Sequence, residues 1–197
     1  MKHCLAILFL ITNIAISTGQ SSRPKGVEQL VVAGETAKPG QFNWIVRSTG
    51  STGTCTGSLI HPDIVLTAAH CQGVWMGGVY IGNTRADGRD GLYAPVVGQY
   101  RHLGYDFDRD LVGFDDVMIL KLPQPITDIV PIQLNSNRNR PSGDDRALTA
   151  VGFGLTSDGG FLPRLLQYAD LEYVPSEVCR FWHEFTDVVN FQEGILW

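Results

Sequence analysis

The run Leu66-Thr67-Ala68-Ala69-His70-Cys71 puts a histidine where acid–base chemistry could be done. An apolar strand ends in two alanines, small enough to let the backbone pack closely. The histidine follows, and then a cysteine that can pin the turn. Cys55 lies sixteen positions before Cys71 and opens the segment Cys55-Thr56-Gly57-Ser58-Leu59-Ile60. A bridge between the two cysteines would staple the histidine loop to the preceding strand, and closing a loop of that size is worth about 3 kcal/mol in the chain-entropy model. A lone histidine is most often structural or solvated. A stapled one among small residues has the fixed surroundings that a general base needs.

The other polar clusters point to less. Asp87-Gly88-Arg89-Asp90-Gly91 lacks the alternating ligand run of a calcium loop and reads as a hairpin turn. His61, His102 and His183 show no metal-ligand spacing. No metal and no cofactor is expected.

The elements that must position His70 are short. Apolar runs recur at Trp44-Ile45-Val46, Ile64-Val65-Leu66, Val79-Tyr80-Ile81 and Val117-Met118-Ile119-Leu120. Turn residues separate them, as at Lys38-Pro39-Gly40, His61-Pro62-Asp63 and Ala86-Asp87-Gly88. Short strands at such spacing predict an all-β sandwich or barrel. Residues 123–146 have little periodicity and read as a linker. Further strands are expected within 147–154 and 165–174. Pro175-Ser176-Glu177 reads as a helix start, with Ser176 able to cap and Glu177 favoured at the positive end of the helix dipole.

The chain has 197 residues, 44% of them hydrophobic and 18% charged, which suits one globular domain or two small packed halves. Its net charge of −5, without a basic stripe, argues against a nucleic-acid partner. Met1, Lys2 and His3 make a short basic start, and residues 4–16 are apolar except for Thr12 and Asn13. Small residues around Ser17 and Gly19 offer cleavage points, so residues 1–19 read as a secretory signal peptide. That run is shorter than the roughly 20 residues needed to span a bilayer, so no membrane association is expected after cleavage. Residues 20–30 are polar and unpatterned and read as a pro-segment. With Cys4 leaving in the signal, the secreted chain holds Cys55, Cys71 and Cys179, an odd number that leaves one thiol without a partner in the chain.

Six segments in order resemble the trypsin-like, chymotrypsin-fold serine proteases. Val31-Val32-Ala33-Gly34-Glu35-Thr36-Ala37 resembles the mature N-terminus of that family, beginning at Val31. Pro39-Gly40-Gln41-Phe42-Asn43-Trp44 resembles the family's next segment. Cys55-Thr56-Gly57-Ser58-Leu59-Ile60 and Thr67-Ala68-Ala69-His70-Cys71 resemble the strand and loop of the catalytic histidine. Asp116-Val117-Met118-Ile119-Leu120-Lys121-Leu122 resembles the catalytic aspartate segment, and Ala150-Val151-Gly152-Phe153-Gly154 the first strand of a second barrel. The resemblance implies a double β-barrel over 31–197: a complete first barrel at 31–122, the linker at 123–146, and a second barrel only partly present at 147–197. It implies His70 as general base and Asp116 as the carboxylate that orients it, with Asp115 the rival. It implies that Cys55 and Cys71 are bonded, and that Cys179, after its short helix, pairs with a cysteine beyond Trp197. The partners expected are protein or peptide substrates, and protein inhibitors.

Two departures qualify that reading. Family members are usually activated by cleavage after Arg or Lys, but Leu30 precedes Val31. The segment Gly-Asp-Ser-Gly-Gly, which carries the nucleophile, does not occur in the 197 residues, and Ser142 and Ser157 lie in turn-like stretches. The expectation is therefore a secreted serine endopeptidase whose chain is cut short before the nucleophile and is inactive as given. The alternative is a non-catalytic homologue that serves as a secreted binding protein.

Overall fold

The computed structural model describes residues 4–5, 34–48, 54–74, 77–105, 115–137, 148–155, 161–171, 173–175 and 178. Among them are twelve strands: β1 (Cys4–Leu5), β2 (Glu35–Thr36), β3 (Ile45–Ser48), β4 (Thr56–His61), β5 (Ile64–Thr67), β6 (Val79–Ile81), β7 (Leu92–Ala94), β8 (Gly98–Arg101), β9 (Met118–Lys121), β10 (Leu148–Gly152), β11 (Gln167–Leu171) and β12 (Tyr173–Val174). A single 3-10 turn, Ala69–Cys71, follows β5.

Seven strands form one antiparallel sheet in the order β7-β6-β3-β4-β5-β9-β8. In β4, β5, β6 and β9 the side chains alternate between buried and less buried, as the two-residue period of a strand requires. Leu59, Val65, Val79, Ile81, Met118 and Leu120 are all fully buried. They share one cluster with Val46 and Ala94, so the sheet curls around a single core. The second sheet is three-stranded, in the order β10-β11-β2, and β1 pairs with β12.

β3 joins the two halves. Its successive residues Ile45 and Val46 point to opposite faces, yet both are buried. Val46 enters the core of the seven-stranded sheet, while Ile45 packs with Ala37, Phe153 and Leu166 in a second cluster. Phe42 stands edge-on to Trp44 at 5.9 Å and lies 5.3 Å from Tyr168, extending that second core. The all-β double-barrel expectation holds.

Residues 123–137 run along the first sheet. The Ile126 and Ile132 N–H groups donate to the carbonyls of Pro62 and Leu59, and Ile126 enters the first core. The expected turn at residues 86–88 links β6 to β7, with Gly88 N–H donating to the Arg85 carbonyl at 3.0 Å. Its carboxylates are already engaged. Asp90 accepts bonds from Thr84 and from Arg85 N–H, and Asp87 accepts two from the Arg85 guanidinium. The cluster is thus a self-satisfied hairpin. At the expected helix start, Val178 N–H donates to the Pro175 carbonyl at 3.0 Å. Ser176, Glu177 and Cys179 lie outside the described residues, as do Val31, Ser142 and Ser157.

Candidate active site

β5 delivers the histidine. After Thr67 the chain passes through the extended Ala68 into the 3-10 turn, closed by Cys71 N–H to the Ala68 carbonyl at 3.3 Å and Gln72 N–H to the Ala69 carbonyl at 3.0 Å. Ala69 and Cys71 are buried at 1% and 3% exposure, whereas the His70 side chain keeps 57%. Burial of its two neighbours therefore turns the imidazole outward. Cys71 is bonded to Cys55. Cys55 is fixed in turn by its N–H to Ser48 Oγ at 2.9 Å, and Thr67 Oγ1 donates to the Thr56 carbonyl at 3.0 Å.

Cys55, His70 and Cys71 place one potential ligand atom each within 4.8 Å of one another. In a disulfide neither sulfur carries the negative charge of a thiolate ligand. The trio is accordingly a stapled histidine and not a ligand set.

β9 delivers the carboxylate. Its pairing with β5 sets Thr67 opposite Met118, which brings the residues just beyond those two ends together across 46 positions of sequence. Asp116 Oδ1 accepts the His70 backbone N–H at 2.8 Å, and Oδ2 lies 2.6 Å from His70 Nδ1. An ionised carboxylate only accepts, so the Nδ1 proton sits between them and the Nε2 lone pair is left free. The Asp116 side chain is only 17% exposed. Burial pushes the nearby Tyr105 phenol up, the Asp116 charge adds to that, and Arg101 opposes it.

Asp115, the rival carboxylate, faces elsewhere. Its Oδ2 lies 3.6 Å from His102 Nδ1, and its side chain is half exposed. The contact made by Asp115, and the role of His102 in it, are not legible in the sequence. The only available signal was the tolerance of aspartate for left-handed backbone.

A curled antiparallel barrel with a histidine–aspartate pair at the end of two paired strands defines the chymotrypsin-fold class. The Trypsin family model matches residues 31–192, and the chain belongs to the trypsin-like serine protease family. It is 30% identical to human Granzyme M over 193 residues, covering 93% of this chain and 71% of that protein. It is 28% identical to mouse Chymotrypsin-C over 174 residues, covering 83% of this chain and 64% of that one. The solved structure of neuropsin, titled a serine protease expressed in the limbic system of mouse brain, superposes with a TM-score of 0.68 at 19% identity. That superposition covers 81% of this chain and 72% of the neuropsin chain, and it bears on the fold alone.

Proposed function

We propose that His70 is the general base, and Asp116 its orienting carboxylate, of a secreted serine endopeptidase that cleaves protein or peptide substrates. The observation that carries this reading is the 2.6 Å contact from Asp116 Oδ2 to His70 Nδ1, which leaves Nε2 on an exposed ring. The nucleophile belongs to the family segment Gly-Asp-Ser-Gly-Gly, absent from these 197 residues. The activity is therefore that of a form carrying the segment.

In such a form the serine hydroxyl gives its proton to Nε2 as its oxygen bonds the scissile carbonyl carbon. Nε2 then passes that proton to the amine nitrogen as the carbon–nitrogen bond breaks. Water repeats the exchange on the acyl-enzyme and frees the serine. Asp116 stays ionised throughout, holding the tautomer and stabilising the imidazolium.

The supporting organisation is a leader at 1–19, a pro-segment at 20–30, a first barrel at 31–122, a linker at 123–146 and second-barrel strands from 147. Among the described residues no helix is long and apolar enough to cross a membrane. Edman sequencing of the exported protein should begin at Thr18 or Gln20 if the leader is removed.

The test of the activity uses a form carrying the serine segment. H70A should lower kcat/KM on a peptide substrate by about 10⁴-fold and abolish fluorophosphonate labelling. Undiminished turnover in H70A would overturn the assignment of the base. A form that neither turns over nor takes the label, with His70 and Asp116 intact, would favour the non-catalytic binding protein.

A further inference from the structure

Asp115 is the one non-glycine residue with positive φ, at 54°, among the described residues. Left-handed backbone crowds a Cβ against the following carbonyl oxygen, and aspartate is one of the few residues that tolerates it. The strain falls immediately before the carboxylate that meets His70.

The Asp115 carboxylate faces the turn at 102–105. Its Oδ2 lies 3.6 Å from His102 Nδ1. A Cβ at Gly104 would meet that same oxygen, so the carboxylate occupies the space that glycine leaves open. The 102–105 turn is closed by Tyr105 N–H to the His102 carbonyl and by Gly104 N–H to His102 Nδ1, both at 3.1 Å. It also grips the far side of Asp116. His102 N–H donates to the Val117 carbonyl at 2.8 Å, and Val117 N–H donates to the Asp115 carbonyl at 2.7 Å. Asp116 is thus bracketed, with Val117 tied to that turn and Asp115 tied to Val117.

We infer that Asp115 is a positioning residue, whose left-handed backbone, seated over Gly104 beside His102, aims the Asp116 carboxylate at His70. The inference rests on the reading of His70 and Asp116 as the base pair. Both Asp116 oxygens are used, one on the His70 backbone and one on its ring. Such two-point contact fixes the direction from which the chain must arrive. An extended or helical residue 115 would bring the chain in along another line, and one contact or both would be lost.

The test reads the His70 Nδ1–H proton, held on Asp116, by ¹H NMR of the full chain labelled with ¹⁵N-histidine, with a thermal melt of each variant alongside. Wild type should show the far-downfield resonance of a carboxylate-bound imidazole N–H, and D116N should lack it. D115N and D115G, which accept positive φ, should keep it. D115A and D115V, which resist positive φ, should lose or broaden it by more than their melting temperatures explain. If D115V does not fold, D115A against D115G decides, since alanine resists the left-handed conformation and glycine does not. Equal retention or equal loss in that pair overturns the inference, as does loss in D115N equal to that in D115V. A wild-type chain without the resonance would instead overturn the base-pair reading itself.

Discussion

Removing the Cys55–Cys71 bond should destabilise the protein far more than its few atoms suggest. The bond closes a loop across a separation of 16 residues. In the chain-entropy model such a closure lowers the entropy of the unfolded chain enough to contribute about 3 kcal/mol at 25 °C. A chain of this size loses about 2–4 °C of melting temperature per kcal/mol. The double variant C55A/C71A should therefore melt about 6–12 °C lower. Cys71 is almost wholly buried, so truncation there adds a small cavity cost in the same direction. Calorimetry of the double variant without reductant is the direct assay. Wild type melted in dithiothreitol should fall by a similar amount, because its loop is then open as well. A drop under about 2 °C in both would mean that unfolded-state entropy is not what the bond supplies.

In a form carrying the serine segment, D116N should cost about 10⁴-fold in kcat, because an amide can donate to Nδ1 and favour the wrong tautomer; a large loss in D115N beside a mild one in D116N would reverse the assignment. Gly88 has φ +71° and sits against the Tyr80 ring, so G88A should destabilise by about 1–3 kcal/mol in urea titration, and an unchanged midpoint would contradict it. The Asp87 carboxyl is held at about 2, below its ordinary 3.8, chiefly by the hydrogen bonds from Arg85. A depressed carboxylate contributes stability above its unfolded value, and that contribution fades as pH falls from about 4 through about 2. R85Q should bring the Asp87 midpoint back up toward 3.8 in an NMR titration, and a midpoint still near 2 would exclude Arg85 as the cause.

The parts legible in the sequence are those whose residues declare themselves locally. β5, β6 and β9 are β-branched or aliphatic runs, and each falls where the apolar pattern predicts it. β7 and β8 are not legible, because Leu92-Tyr93-Ala94 is only three residues long and Gly98-Gln99-Tyr100-Arg101 carries little apolar signal. They are the two edges of the sheet, covered on fewer sides, and tolerate polar and aromatic residues for that reason. At the site, His70 stood out through its alanines and cysteine. Asp116 stood out only through the family segment, since Asp115 has the same chemistry one position away. A strand pattern does not record the sign of φ before its first residue, so the left-handed backbone of Asp115 and the turn at His102 emerge only in three dimensions.

The site and the core are set by a single choice of register. Thr67 pairs with Met118 and Val65 with Leu120, and the fully buried Met118 and Leu120 hold that pairing. A slip of one residue would turn both side chains out of the core and bring Ile119 and Lys121 in, at the cost of burying an ammonium. The same slip would carry Asp116 roughly 3.3 Å along the strand, farther than a hydrogen bond can stretch. Both of its contacts to His70 would be broken. The hydrophobic alternation of β9 therefore fixes the reach of Asp116, while Asp115 fixes its direction. The disulfide fixes the loop that receives it, and each of these three constraints acts from a different segment of the chain.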